Sequence, residues 1–252
     1  MKKRKTKEIK QQAKMALQGH LGTVILGLLA VYGLNMLGTI LSTTLFSGTS
    51  VLDLVLSEVF LLVVSLIVGI ISAGFGYMLL NISRGKEFSL GDLGYFFRNQ
   101  PDRVIIAGFV LALIQVITAI PYYYVSYTTD PGLTVESQLQ WLSVTFGLLA
   151  VGTVLNFLIS IPFAMTYFLM ADDPELGGIN GLKESMHLMK GNIWRYIKLN
   201  LSFIPLMILS VFTFYIALFW ILPYMEMSLV TFYRDLNGEL DHRLPGDGYY
   251  TV

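Results

Sequence analysis

The residues able to do chemistry in this chain are few and scattered. There are three histidines, His20, His187 and His242, and no cysteine. The histidines lie in three separate segments, with His242 in a polar tail, so their spacing supports no metal site. Without Cys there is no disulfide, no thiolate nucleophile and no Cys-ligated metal. Asp172 and Asp173 begin a D-D-x-x-D diphosphate–metal pattern, but Leu176 stands at its last position. Asp173 before Pro174 reads more simply as a helix N-cap with proline at the first helical position. No G-x-x-x-x-G-K-[ST], H-E-x-x-H or G-x-S-x-G occurs. These residues predict no enzyme, no metal and no cofactor.

Two carboxylates lie inside apolar sequence, where an ionisable group is costly and marks a candidate functional position. Glu58 has few polar neighbours and is expected near headgroup level. Glu226, in Ile221-Leu222-Pro223-Tyr224-Met225-Glu226-Met227, is the sharper case. Asn200, with Asn35, Gln115 and Asn156, is expected to hydrogen-bond between helices.

The elements that must position these groups are long apolar runs: Leu21–Leu41, Leu54–Leu80, Val104–Tyr124, Leu142–Met170 and Leu199–Phe232. About 20 apolar residues cross a bilayer as a helix. The chain is 54% hydrophobic and 13% charged, against about 25% charged in ordinary soluble domains. Net charge is zero, but the charges are segregated. Seven Lys or Arg precede the first run, four lie in 84–103 and four in 183–198, whereas 42–53 and 125–140 hold none. That alternation is the positive-inside pattern. It predicts an all-α polytopic bundle of five or six membrane segments in a cell membrane, with the N-terminus cytoplasmic. The first run follows a long basic region with no convincing cleavage site and reads as a retained helix.

Three regions follow: a basic amphipathic helix in 1–20, a transmembrane domain in 21–235 and a polar tail in 236–252. Lys3, Lys7, Lys10 and Lys14 share one helical face, and Ile9, Ala13, Ala16 and Leu17 gather on another. A basic amphipathic helix beside a span predicts binding to anionic headgroups. Ser89 and Asp92 predict a capped short helix lying on the membrane. Ile179, Leu182, Met186, Met189, Ile193 and Ile197 form a second interfacial stripe, broken at Gly191. Ser65, Gly69 and Ala73, with Gly76 nearby, give a small-residue seam for close helix packing. The third run is expected to end at Pro121, with Tyr122, Tyr123, Tyr124 and Tyr127 forming an interfacial belt. The last run would be about 51 Å long as one straight helix. Either it spans once and continues as an interfacial segment after Pro223, or it folds back near Thr213 or Tyr215; the charge pattern favours the fold-back, although no Gly or Pro marks a turn there.

Several short stretches resemble a known family. They are Ala171-Asp172-Asp173-Pro174, Ser185, Leu188-Met189-Lys190-Gly191-Asn192, Leu199-Asn200-Leu201-Ser202-Phe203, Pro223-Tyr224 and Phe232-Tyr233. With Ile9-Lys10, Ala13 and Leu17-Gln18-Gly19-His20 at the start, they resemble the bacterial integral membrane family called domain of unknown function 975. Pro205 departs from the expected Gly-Trp pair and predicts a kink at the start of the last run. The resemblance implies a Gram-positive-type cytoplasmic membrane protein and no reaction.

The functional expectation is a non-enzymatic membrane module. It would bind lipid or a membrane-protein partner, including a second copy of itself, and no nucleic acid. The alternative is a small transporter or permease component with a Pro-broken last segment near Glu226.

Overall fold

The computed structural model describes residues 3–48 and 50–241. His242 and the rest of the tail lie outside them. The helices are α1 Thr6–Ala16, α2 Leu21–Leu45, α3 Val51–Ser83, α4 Tyr95–Arg98, α5 Pro101–Thr128, α6 Val135–Ser160, α7 Thr166–Asp172, α8 Gly178–Met189, α9 Ile193–Leu201, α10 Ile204–Phe212 and α11 Leu218–Leu236. No strand occurs among the described residues. Five helical stretches are long and apolar enough to cross a membrane: Leu21–Leu45, Leu52–Ser83, Pro101–Thr128, Val135–Asp172 and Ile193–Phe212. This is a multi-pass membrane protein.

The four apolar runs before the last one became helices close to their expected limits. Two boundaries differ. α6 starts at Val135, seven residues before the expected Leu142. α5 continues through Pro121 to Thr128 rather than ending there. Flanking apolar helical residues carry the chain past the one missing N–H, which is tolerated in such helices. The fourth run is interrupted at Pro162 by a single tight turn, Ile161–Phe163, before α7.

The last run folds back. α9 ends at Leu201, and α10 starts with Pro205 in its first turn, which gives the kink expected there. The chain then reverses through Phe214 and Tyr215, whose φ values are 48° and 65°. Tyr215 N–H donates to the Ser210 carbonyl at 2.8 Å, and Thr213 Oγ1 accepts from Ala217 N–H. Each non-glycine residue in this left-handed region costs about 1–2 kcal/mol. α11 then returns, so that Arg234 donates to the Ser83 carbonyl and Asp235 meets Arg195.

The core is concentrated at one end, which we call the charged end. Buried residues of α3 lie from Val68 onward, and those of α11 lie mostly from Met227 to Leu236. α1 packs on this part of α11 and buries Ile9, Ala13 and Leu17. The segment 90–98 tucks under α3, with Phe96 fully buried. Gly74 permits this approach: a Cβ there would stand 2.2 Å from the Leu93 carbonyl oxygen. This segment therefore packs mainly on protein, with Leu90 and Phe97 exposed. α8 departs from its expected stripe. Its buried face is Gly178, Gly181, Leu182, Ser185 and Met189, whereas Ile179 and Met186 are exposed. Gly178 and Gly181 permit its closest approaches, and Leu182 and Met189 fill the rest of the contact. At the opposite, far end the spans keep mostly exposed apolar surfaces.

Candidate functional site

The charged end is tied by long-range ion pairs. Asp235 on α11 accepts from Arg4 at 3.2 Å and from Arg195 of α9 at 2.5 Å. Arg4 also meets Asp241 at 3.0 Å. Arg84, just beyond α3, forms a two-pronged pair with Asp172 at 2.5 and 2.7 Å. It also meets Glu239, which accepts from Arg234 at 3.1 Å. Burial works against the Arg84 charge, but hydrogen bonds to Asp172 and Glu239 outweigh it and hold the guanidinium above its ordinary range. Tyr233 donates to Asp172 at 2.8 Å. The described start of the tail is thus held in place through Glu239 and Asp241.

The sequence-chosen residues at this end have structural roles. Asp172 is the anchor for Arg84 and Tyr233. Asp173 does not cap a helix, because no helix starts at Pro174. Its side chain accepts from Glu175 N–H at 2.9 Å in a local turn, and its carbonyl accepts from buried Arg103 at 2.9 Å. An Asp side chain bonded two residues ahead competes with helix initiation. Gly191 has a φ of 76° and separates α8 from α9 beside exposed Lys190. Pro223 is buried within α11, and Tyr224 meets Phe203 edge-on at 5.2 Å between ring centroids.

The four lysines of the N-terminal face do not act together. Lys3, Lys7 and Lys14 are exposed. Lys10 instead turns inward. Its Nζ donates to the Ser202 carbonyl and hydroxyl at 3.2 Å each and lies 3.9 Å from the Phe203 ring centroid. Burial pulls the Lys10 ammonium below its ordinary range. The reason is that the apolar face of α1 is covered by α11, and this places Lys10 at the edge of the contact.

A different feature lies among the spans. A cleft of about 350 Å³ opens between α3, α5 and α6, with Tyr167 and Tyr196 at its charged-end side. A second cavity of about 330 Å³ runs between α5 and α6 toward Tyr122 and Tyr123. Gln115 and Asn156 line both. α5 and α6 cross closely there, since a Cβ on Gly152 would lie 2.7 Å from the Thr118 carbonyl oxygen. The seam divides accordingly. Ala73 is buried and Gly76 faces Phe168, whereas Ser65 and Gly69 line the cleft.

Among the described residues, the side chains of Gln115, Asn156, Ser160 and Tyr167 make no protein hydrogen bond. The expected inter-helix bonds of the asparagines are absent too. Asn35 and Asn200 bond to carbonyls of their own helices, Val31 and Tyr196. Self-bonding satisfies each donor within one turn and needs no neighbour. Glu226 is half-buried, and Tyr32 of α2 and Tyr196 of α9 are its electrostatic neighbours. It lines neither cavity. No group of three or more His, Asp or Glu is placed for a metal among the described residues.

The family described as Protein of unknown function (DUF975) matches residues 1–239. The chain belongs to that family. No curated protein and no solved structure matches it. The matched region contains the cleft, the fold-back and the ionic contacts as far as Glu239. Membership brings no reaction with it.

Gln115 and Asn156 were legible in the sequence only as polar exceptions within apolar runs. Ser160 and Tyr167 carried no signal of their own. What joins them is the crossing of α5 and α6 and the break at Pro162.

Proposed function

We propose that this protein is a multi-pass protein of a bacterial cytoplasmic membrane that holds an amphiphile in the α3–α5–α6 cleft without transforming it. The charged end and N-terminus face the cytoplasm, where Lys3, Lys7 and Lys14 meet anionic headgroups. The positive-inside pattern supports this orientation, and the exposure of those three lysines supports the contact.

The observation that carries the reading is the convergence of four unpaired polar side chains on one cleft. Gln115 is the fifteenth of the 28 residues of α5, so it lies near mid-depth. An unsatisfied polar group in hydrocarbon costs several kcal/mol. A bound hydrogen-bonding ligand removes that cost. The tails of an ordinary phospholipid offer no such group at that depth. The occupant is therefore an amphiphile with a hydroxyl or amide along its length. A transport reading would need the cleft to reach Glu226, which lines neither cavity.

The test is native mass spectrometry of the protein extracted in mild detergent. The wild type is expected to retain one bound amphiphile that the Gln115→Leu/Asn156→Leu double variant loses while remaining folded. Equal retention by both proteins, or the absence of any bound amphiphile in the wild type, refutes the reading.

A further inference from the structure

Toward the far end, beside the second cavity that shares Gln115 and Asn156 with the cleft, Glu58 of α3 accepts from the Tyr123 hydroxyl of α5 at 3.3 Å. Tyr123 stacks on Tyr127, with centroids 5.9 Å apart and planes 3° apart. It also meets Tyr122 at 5.3 Å in an edge arrangement. Tyr122 and Tyr123 both line the outer cavity. A carboxylate and three tyrosine rings thus gather at the far end, and two of the rings line the cavity that adjoins the cleft.

The charge around this group is one-sided. Between His20 and Arg84, and again between Arg103 and Lys183, the chain holds no Lys or Arg. The two helices that carry this group, α3 and α5, lie in these intervals beyond their first turns. Asp53, Glu58, Asp130 and Glu136 are the charged residues of the far end, and all are negative. Glu58 therefore has no cation from its own protein. Aromatic faces beside a carboxylate are the chemistry that selects ammonium groups.

From this geometry we infer that the Glu58–Tyr122–Tyr123–Tyr127 cluster binds the ammonium group of a single-chain cationic amphiphile whose body lies in the cleft. The inference rests on the cleft reading above and names its ligand class. Gln115 and Tyr123 are eight residues apart on α5, about 12 Å along the axis. The ligand carries its hydroxyl or amide about that far from its cation. A bilayer phospholipid does not match that spacing with its hydrogen-bonding groups at mid-depth.

The test uses the full-length protein in dodecyl maltoside micelles, which carry no charge. One probe is an alkyl chain bearing an amide and, about 12 Å further on, a trimethylammonium. The other probe replaces the trimethylammonium by an isosteric tert-butyl group. Wild type is expected to bind the cationic probe about tenfold more tightly, the effect of one well-placed ring and charge site. Glu58→Gln should bring that ratio close to one, and Tyr122→Leu should lower it, each through a larger loss of affinity for the cationic probe than for the tert-butyl probe.

A wild-type ratio near one overturns the inference and leaves the cleft reading intact. So does a ratio unchanged in both variants. Displacement of the cationic probe by phosphatidylcholine at equal concentration overturns the assignment to a single-chain ligand. The Gln115→Leu/Asn156→Leu variant is expected to lose affinity for both probes. If it binds both as wild type does, the cleft reading fails while the cation site stands. Binding of neither probe by wild type overturns both.

Discussion

Replacing Asp235 by Ala should destabilise the protein far more than removing any exposed charge. The Asp235 side chain is 1% exposed and receives guanidinium groups from both Arg4 and Arg195. Its loss leaves those two cations facing each other, since Arg195 also donates to the Arg4 carbonyl at 2.9 Å. Breaking a buried pair from one side costs about 3–5 kcal/mol. Arg4 keeps Asp241 and Arg195 keeps the Asn192 side chain, so about 3 kcal/mol is the expected value. The assay is reversible unfolding by sodium dodecyl sulfate in mixed micelles, followed by tryptophan fluorescence. Trypsin cleavage at Lys5 and Lys7 should accelerate in the same variant, because α1 loses its tether to α11. The Arg4→Met/Asp235→Leu/Arg195→Met variant should recover most of the stability, since apolar replacement removes the uncompensated charges. A loss below about 1 kcal/mol, the range of an exposed pair, would refute the argument that this buried contact holds the charged end together.

Gly178→Ala should cost about 1–3 kcal/mol, because its Cβ would stand 2.4 Å from the Arg103 carbonyl oxygen. Gly177→Ala, which meets nothing within 4 Å, should be near neutral in the same unfolding assay. Lys10→Gln should cost about 1–2 kcal/mol through its lost contacts to Ser202 and Phe203, against almost nothing for Lys7→Gln. Equal effects would return Lys10 to the exposed face. A single Cys at Thr129 should react with an impermeant thiol reagent in intact cells, and one at Ser89 should not. Labelling at Ser89 from outside would reverse the proposed orientation.

The spans were legible because their length and apolarity answer to one physical demand, the thickness of hydrocarbon. The fold-back was legible through charge: Arg234 has to return to the side that holds Arg195. Its turn was not, because Phe214 and Tyr215 carry a strained backbone that neither residue type announces. The place of Lys10 was not legible, because a 3.6-residue period shows that one face is apolar but not whether lipid or protein covers it. Here α11 covers it, and Lys10 turns inward as a result. Asp173 looked like a cap because the local pattern fits one, but the side chain closes a turn first. The Arg84–Asp172 pair joins residues 88 positions apart, and no local pattern connects them. The cleft was hidden for a similar reason. Gln115 and Asn156 are visible as polar residues, but their lack of partners exists only in three dimensions.

The most direct test of the cleft as a binding site is photo-cross-linking in native membranes. A benzoylphenylalanine is placed at Leu111, inside the cleft, and in a second variant at Phe146, an exposed position on α6 outside both cavities. Intact-mass analysis of the irradiated protein should show one discrete amphiphile-sized adduct at Leu111 and only a spread of bulk phospholipid adducts at Phe146. The same phospholipid spread at both positions would contradict a site that selects its occupant.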